Sequence, residues 1–246
     1  RLASACGRHL IDSRVITRGG ALAWPGADRR ALAGFAHGAA GIALALARLA
    51  RVTGDRGLDE AVSAAYRYEK LLFSSSSVNW PVPGQTSREG EAVITAWCHG
   101  AAGIGLSRAL VLDESADEDR REEMKTALLV TAKHAVGKSD HLCCGNLGRA
   151  DVLLTAGLRL ESLELVQCAR GLVESVVARA RERGRFALPS SPFRLVLSDP
   201  GFFKGLSGIG YQCLRMTSPQ DFPSVLGFEI PPRARFRADE TRKELQ

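Results

Sequence analysis

The sequence predicts an all-α fold, an α/α toroid of stacked helical hairpins, and three observations carry that expectation. Alanine, leucine and arginine dominate the 246 residues while aromatics reach only 6%, a composition that favours helix over sheet. Four short stretches are near copies of one another. They are His37-Gly38-Ala39-Ala40-Gly41-Ile42-Ala43-Leu44, His99-Gly100-Ala101-Ala102-Gly103-Ile104-Gly105-Leu106, Cys144-Gly145-Asn146-Leu147-Gly148 and Lys204-Gly205-Leu206-Ser207-Gly208-Ile209-Gly210-Tyr211. Each sets a glycine, two residues and a second glycine ahead of an apolar run at helical spacing. The first glycines lie 62, 45 and 60 residues apart (38 to 100, 100 to 145, 145 to 205), the period of one helical hairpin plus a variable loop.

The elements follow in order. Trp24-Pro25-Gly26 breaks the chain ahead of the first turn, and an inner helix is expected over 42–51 with an outer helix over 58–73. The serine run 74–77 leads through Trp80-Pro81-Val82-Pro83-Gly84 to the second turn, the inner helix 104–112 and the outer helix 122–134. The third turn opens the inner helix 150–158, followed by an outer helix over 163–181. The stretch from Leu188-Pro189 to Pro200-Gly201 precedes the fourth turn and the inner helix 209–216. Sheet signals are weak; at most a short hairpin fits residues 186–197. The inner runs are rich in alanine and glycine, which suits close packing about a common axis.

Composition bounds the function classes. A hydrophobic content of 45% and a charged content of 24% are those of an ordinary globular chain. No apolar run approaches the ~20 residues of a membrane span, and residues 1–10 lack the pattern of a secretory signal, so a cytoplasmic location is expected. The sequence does not begin with methionine, which suggests one part of a longer chain. The net charge is +6. Basic residues gather at 179–185 and 233–243, each mixed with acids or glycine, and read as solvated faces and a charged tail over 229–246. A weak attraction for an acidic peptide is the alternative, and nothing resembles a nucleic-acid module with interleaved aromatics.

The mouths of the turns carry the chemistry. Cys98 stands at the second and Cys143 and Cys144 at the third; if the turns are equivalent in space, three sulfurs converge at one end of the toroid. Three protein ligands with an open position are the signature of catalytic zinc, and thiolates suit zinc over magnesium or calcium. His37, one position before its glycine, is a fourth ligand, an acid/base beside the metal, or a helix-capping residue. His99 follows a proposed ligand and either acts directly or caps the turn. Asn146 and Arg149 flank the thiol pair and can support it by hydrogen bonds. His9, His134 and His141 read as surface or loop residues, and Cys6, Cys168 and Cys213 as buried small hydrophobes.

Gly34-Phe35-Ala36-His37-Gly38, Trp97-Cys98-His99-Gly100, Leu142-Cys143-Cys144-Gly145-Asn146-Leu147-Gly148-Arg149 and Gly205-Leu206-Ser207-Gly208-Ile209-Gly210-Tyr211 together resemble the lanthionine synthetase C-like cyclases. The form of the third motif and the ending Pro223-Ser224-Val225-Leu226 are similar to the C-terminal cyclase domain of class II lanthipeptide synthetases (LanM). The resemblance implies a toroid around a zinc ion, with Cys98, Cys143 and Cys144 as ligands and His37 as the acid/base. It implies a dehydrated precursor peptide as substrate, whose cysteine thiolate adds to dehydroalanine or dehydrobutyrine to form a thioether ring. Many relatives have Cys-His-Gly where this chain has Cys143-Cys144-Gly145, so a more nucleophilic substrate thiolate and looser ring selectivity are expected. The family's ring uses about seven hairpins, and four turns are visible here. Residues 1–228 therefore read as a partial cyclase domain, with an N-terminal dehydratase region expected in the parent chain. A zinc-holding binding module and an inactive remnant remain alternatives, while a carbohydrate-active toroid would need carboxylates at the turn mouths.

Overall fold

The computed structural model describes residues 1–87, 90–112, 118–188 and 199–231. The possible hairpin within 186–197 and most of the charged tail fall largely outside them. Eight α-helices, one 3-10 turn (Arg18–Gly20) and two small ribbons are the regular elements among the described residues, so the all-α expectation holds. The chain divides into two compact units, the first comprising 1–135 with 159–161 and the second 136–158 with 162–246.

The first unit opens with α1 (Leu2–Asp12), the helix that carries Cys6. The ribbon of β1 (Val15–Ile16) and β2 (Leu22–Ala23) follows, and the Trp24 indole N–H donates to Leu10 O at 2.7 Å, tying the ribbon to α1. The inner helix α2 (Ala39–Thr53) turns back through Gly54 into the outer helix α3 (Arg56–Leu72). Gly54 takes φ 70°, a left-handed helix end that costs glycine little, and Asp55 caps α3 by accepting from Gly57 N at 2.9 Å. A second small ribbon, β3 (Thr86–Ser87) with β4 (Gly90–Glu91), precedes α4 (Ala101–Val111) and α5 (Glu118–Lys133).

Inner and outer helices differ as their sequences require. In α4 every residue from Ala101 to Ala109 is buried, with Ile104 and Leu106 at 0% exposure, whereas α5 buries only Met124, Ala127, Leu128 and Thr131. A helix covered on all sides needs small residues so that its neighbours' backbones can approach. Ala39, Ala43, Leu46 and Ala50 of α2 pack with Leu58, Val62, Ala65 and Tyr66 of α3 in one core cluster. Ala40, Ala101, Ile104 and Trp80 form another with Ala127 of α5.

The second unit contains α6 (Asn146–Arg159), α7 (Leu163–Arg183) and α8 (Leu206–Thr217). Helix α6 is again an inner helix, buried from Asn146 to Gly157. A buried polar network holds the far end of this unit. Arg215, 1% exposed, pairs with Asp151 at 3.3 Å and donates to Thr155 Oγ1 at 3.0 Å. Ser224 Oγ donates to Asp151 Oδ2 at 2.6 Å, and the Ser224 N–H donates to Glu229 Oε2 at 2.6 Å. The Pro223-Ser224-Val225-Leu226 ending is therefore anchored in the interior, with Ser224 fully buried and Leu226 1% exposed.

One device recurs at the start of each inner helix. None of α2, α4 and α8 is capped by the side chain of its own N-cap residue, which is a glycine in each. Instead, first-turn N–H groups bond to carbonyls seven residues earlier: Ala39 to Leu32, Ala40 to Ala33, Gly103 to Ala96, Asn146 to Ser139, Leu147 to Asp140 and Leu206 to Asp199. The preceding loop folds back and satisfies donors that a helix start otherwise leaves open. This return explains the second glycine of each motif. A Cβ at Gly41, Gly103, Gly148 or Gly208 would lie 2.1, 2.1, 1.8 or 1.9 Å from the carbonyl oxygen six residues earlier, far inside van der Waals contact.

Candidate metal centre

The first two turns pair within the first unit. A Cβ at Gly34 would meet Cys98 O at 2.2 Å and His99 Cα at 2.7 Å, so the chain before His37 runs hard against the chain bearing Cys98. Phe35 and Trp97 stack with ring centroids 5.6 Å apart. This contact brings His37, Cys98 and His99 together, with one possible ligand atom from each lying within 4.8 Å of the others. Cys98 is buried, His99 half-buried and His37 exposed. The His37 and His99 rings lie 4.8 Å apart, and His99 Nδ1 sits 3.3 Å from Cys98 Sγ. His99 thus faces the thiol.

The second turn is held by a residue the sequence reading did not single out. Asn79, 2% exposed, accepts through Oδ1 from Ala101 N at 3.0 Å and from Trp80 N at 2.8 Å, and its amide donates to Thr95 Oγ1 at 2.9 Å. Gly100 adopts φ 74°, and a Cβ there would stand 1.8 Å from Ile94 O. Only glycine fits this position, directly after His99. An asparagine in a polar loop 22 residues before its partner carries no periodic signal.

The third and fourth turns pair within the second unit. Cys143 N donates to Phe203 O at 2.9 Å, placing the thiol turn beside the fourth turn. The sulfurs of Cys143 and Cys144 are 3.5 Å apart; Cys143 is buried and Cys144 exposed. Two thiolates on one tetrahedral zinc, each about 2.3 Å from the metal, stand about 3.8 Å apart. The pair therefore fits a shared ion, in donor chemistry and in spacing.

A side-chain clamp fixes this turn. Asn146, 1% exposed, accepts through Oδ1 from Gly137 N at 2.7 Å and from Arg149 Nη2 at 2.6 Å. Its amide donates to Gly137 O at 3.0 Å and to Asp140 Oδ1 at 2.8 Å. Asp140 also accepts from Arg179 and, through Oδ2, from Ala187 N at 2.7 Å. Burial lowers the pKa of Arg149 to about 10. Asn146 and Arg149 support the thiol turn as their sequence position suggested, while Asp140 and Arg179 were not foreseen. Arg179 was read as part of a solvated basic face, yet it also donates to Gly137 O at 2.8 Å.

Two other expectations are corrected. His141 is 3% exposed, because it lies under the third turn against the fourth. Its Nδ1 is 3.2 Å from Phe203 O and 3.4 Å from Cys144 N. In the Nδ1–H tautomer it donates to the carbonyl; in the other neutral form it accepts from the Cys144 N–H. Burial pushes its pKa below the usual histidine value. Cys6 is exposed on α1, and Cys168 and Cys213 are only half-buried, since their helices turn other residues inward. His9 and His134 are exposed as expected, and Lys204 at the fourth mouth supplies no metal donor.

No helix among the described residues is long and apolar enough to cross a membrane. The sequence model of the family described as lanthionine synthetase C-like protein matches residues 4–227. The chain belongs to that family.

Proposed function

We propose that this member of the lanthionine synthetase C-like family is a zinc-dependent peptide cyclase, the cyclase part of a class II-type lanthipeptide synthetase. The observation that carries the reading is the donor set at the turn mouths. Thiols and imidazoles stand at three inner-helix starts of a chain that belongs to the lanthionine synthetase C-like family. In this reading Cys98, Cys143 and Cys144 hold the metal in a toroid of hairpins and leave one position for the substrate. Zinc held there would supply the positive charge that keeps a peptide cysteine as its thiolate at neutral pH.

The chain's own residues do the rest. The peptide sulfur adds to the β-carbon of dehydroalanine or dehydrobutyrine, forming a C–S bond and leaving an enolate. His37 delivers a proton to the α-carbon, so the product has the mass of the substrate. His99, against Cys98 Sγ at 3.3 Å, orients that thiolate and tempers its charge. Asn79 and the Asn146–Asp140–Arg179 clamp keep the two thiol-bearing turns rigid, which is what a reaction between two parts of one flexible peptide demands.

The test joins metal content to turnover. The purified chain should hold one zinc and consume the thiol of a dehydrated, cysteine-containing peptide without change of mass. Cys98→Ala should lose both properties, whereas His37→Asn should keep the metal and lose turnover. Zinc bound one-to-one with no thiol consumption would favour the binding-module or remnant reading. Loss of zinc in His37→Asn would make the histidine a ligand.

A further inference from the structure

The two pairs of turns repeat one another. Counted back from its first glycine, the third turn (His141 to Gly145) aligns with the first (Gly34 to Gly38), and the fourth (Gly201 to Gly205) with the second (Ala96 to Gly100). Their contacts align as well. A Cβ at Gly103 would stand 2.6 Å from Phe35 Cβ, and one at the equivalent Gly208 would stand 2.9 Å from Leu142 Cδ1, where Leu142 holds the place of Phe35. Cys98 O lies against Gly34, whose Cβ would approach it to 2.2 Å. Its equivalent, Phe203 O, lies 3.2 Å from Nδ1 of His141, the residue that aligns with Gly34. The fourth turn therefore sits on the third as the second sits on the first.

This alignment places Lys204. It stands to Cys144 as His99 stands to His37, and those two rings are 4.8 Å apart. Lys204 is exposed. Helix α8 starts on a main-chain carbonyl, Asp199 O, which accepts from Leu206 N at 2.7 Å, rather than on the lysine side chain. Behind the larger effect of burial, the Cys144 sulfur and the Lys204 ammonium act in opposite senses on the charge of His141. Arg149 and Arg179, the arginines of the third turn's clamp, are bound to Asn146 and Asp140.

We infer that Lys204 is a second catalytic residue, which rests on the cyclase reading above: its ammonium holds the carbonyl oxygen of the dehydroamino acid. As the peptide thiolate forms the C–S bond at the β-carbon, the electron pair of the C=C bond moves by way of the α-carbon onto that oxygen. Lys204 donates a hydrogen bond to the oxyanion and keeps its own proton. When His37 protonates the α-carbon, the pair returns and the carbonyl re-forms. The thiolate and the incoming proton have their groups in that reading, whereas the enolate oxygen has none. A donor fixed where negative charge develops acts mainly on the transition state, and lysine offers a compact charge on a flexible stem.

Steady-state kinetics of the full chain on a dehydrated, cysteine-containing peptide test this, with zinc content and thermal midpoint read on the same samples. Lys204→Met should lower kcat about 100-fold, the cost of one oxyanion donor, and leave KM within about threefold. Lys204→Arg keeps the charge and should retain at least about a tenth of the rate. Lys138→Met removes an exposed lysine five residues before Cys143 and should leave kcat unchanged, which separates a placed donor from general attraction for the peptide. Zinc content and midpoint should not move in any of the three. A wild type that holds zinc yet consumes no thiol overturns the cyclase reading and the role of Lys204 with it. If the wild type cyclises and Lys204→Met keeps about a third or more of kcat, the inference about Lys204 alone falls. It falls too if only KM rises, if Lys204→Met loses zinc, or if Lys138→Met is slowed equally.

Discussion

Replacing Asn146 with alanine removes the centre of the clamp that holds the thiol-pair turn. Four hydrogen bonds disappear, two with the Gly137 backbone and two with the charged side chains of Asp140 and Arg149. A neutral bond contributes about 1 kcal/mol and one to a charged group about 1.5–3. The sum, reduced for partial re-pairing by Arg179 at Asp140, is about 4 kcal/mol, a large fraction of the 5–15 kcal/mol that a domain has in total. Urea unfolding followed by circular dichroism should show this loss, and zinc affinity should fall about 10–100-fold because the loop that presents the sulfurs is no longer fixed. Asn146→Asp keeps the shape but turns a donor into an acceptor 2.8 Å from Asp140. It should be at least as damaging near neutral pH and should recover partly in acid, where the new carboxyl can donate again. A loss below about 1 kcal/mol in Asn146→Ala with unchanged zinc affinity would refute the clamp's role.

Three further outcomes are expected. Full burial pushes the Glu69 carboxyl from its ordinary 4.5 up to about 7 despite Arg108, so the folded state binds more protons between those values. Its stabilising contribution is complete below pH 4.5 and is lost as pH rises to about 7, by at most about 3 kcal/mol; Glu69→Gln should flatten that slope in pH-dependent unfolding. Gly100→Ala must place a Cβ 1.8 Å from Ile94 O at φ 74°. It should cost about 3 kcal/mol or more and abolish zinc retention, as read by thermal unfolding and metal analysis. Cys144→His should keep zinc but slow cyclisation and narrow the ring pattern, because an imidazole donates less charge than a thiolate. Unchanged rates and product patterns by mass spectrometry would refute that reasoning.

The inner and outer helices were legible because burial imposes their periodicity. The expected inner runs 42–51, 104–112 and 209–216 lie almost entirely inside α2, α4 and α8. The missing first turns are those whose N–H groups the loops satisfy, a backbone arrangement that leaves only glycines as its trace. Cys98, Cys143 and Cys144 stood out through their residue type at repeated positions. Asn79, Asp140 and Arg179 did not, because each acts through a partner 22 to 47 residues away. His141 was misjudged for the same reason: only the neighbouring fourth turn, 62 residues later, buries it. Helix α1 is mostly exposed, with Gly7 its only buried residue, so the apolar helical pattern around Cys6 marked a helix but not a buried one.

The seven-residue return has a consequence for how this architecture can change. Main-chain carbonyls, with Asn79 at α4, satisfy the inner-helix starts, so the side chain just before each first glycine is left to vary in chemistry. Histidine, histidine, cysteine and lysine occupy that place in the four turns, at His37, His99, Cys144 and Lys204. The turn works as a socket whose plug can be exchanged while the socket stays intact. New reactivity can therefore arise by single substitutions at a mouth, and Lys204 is where an experimenter could fit a fourth donor without rebuilding the helix behind it.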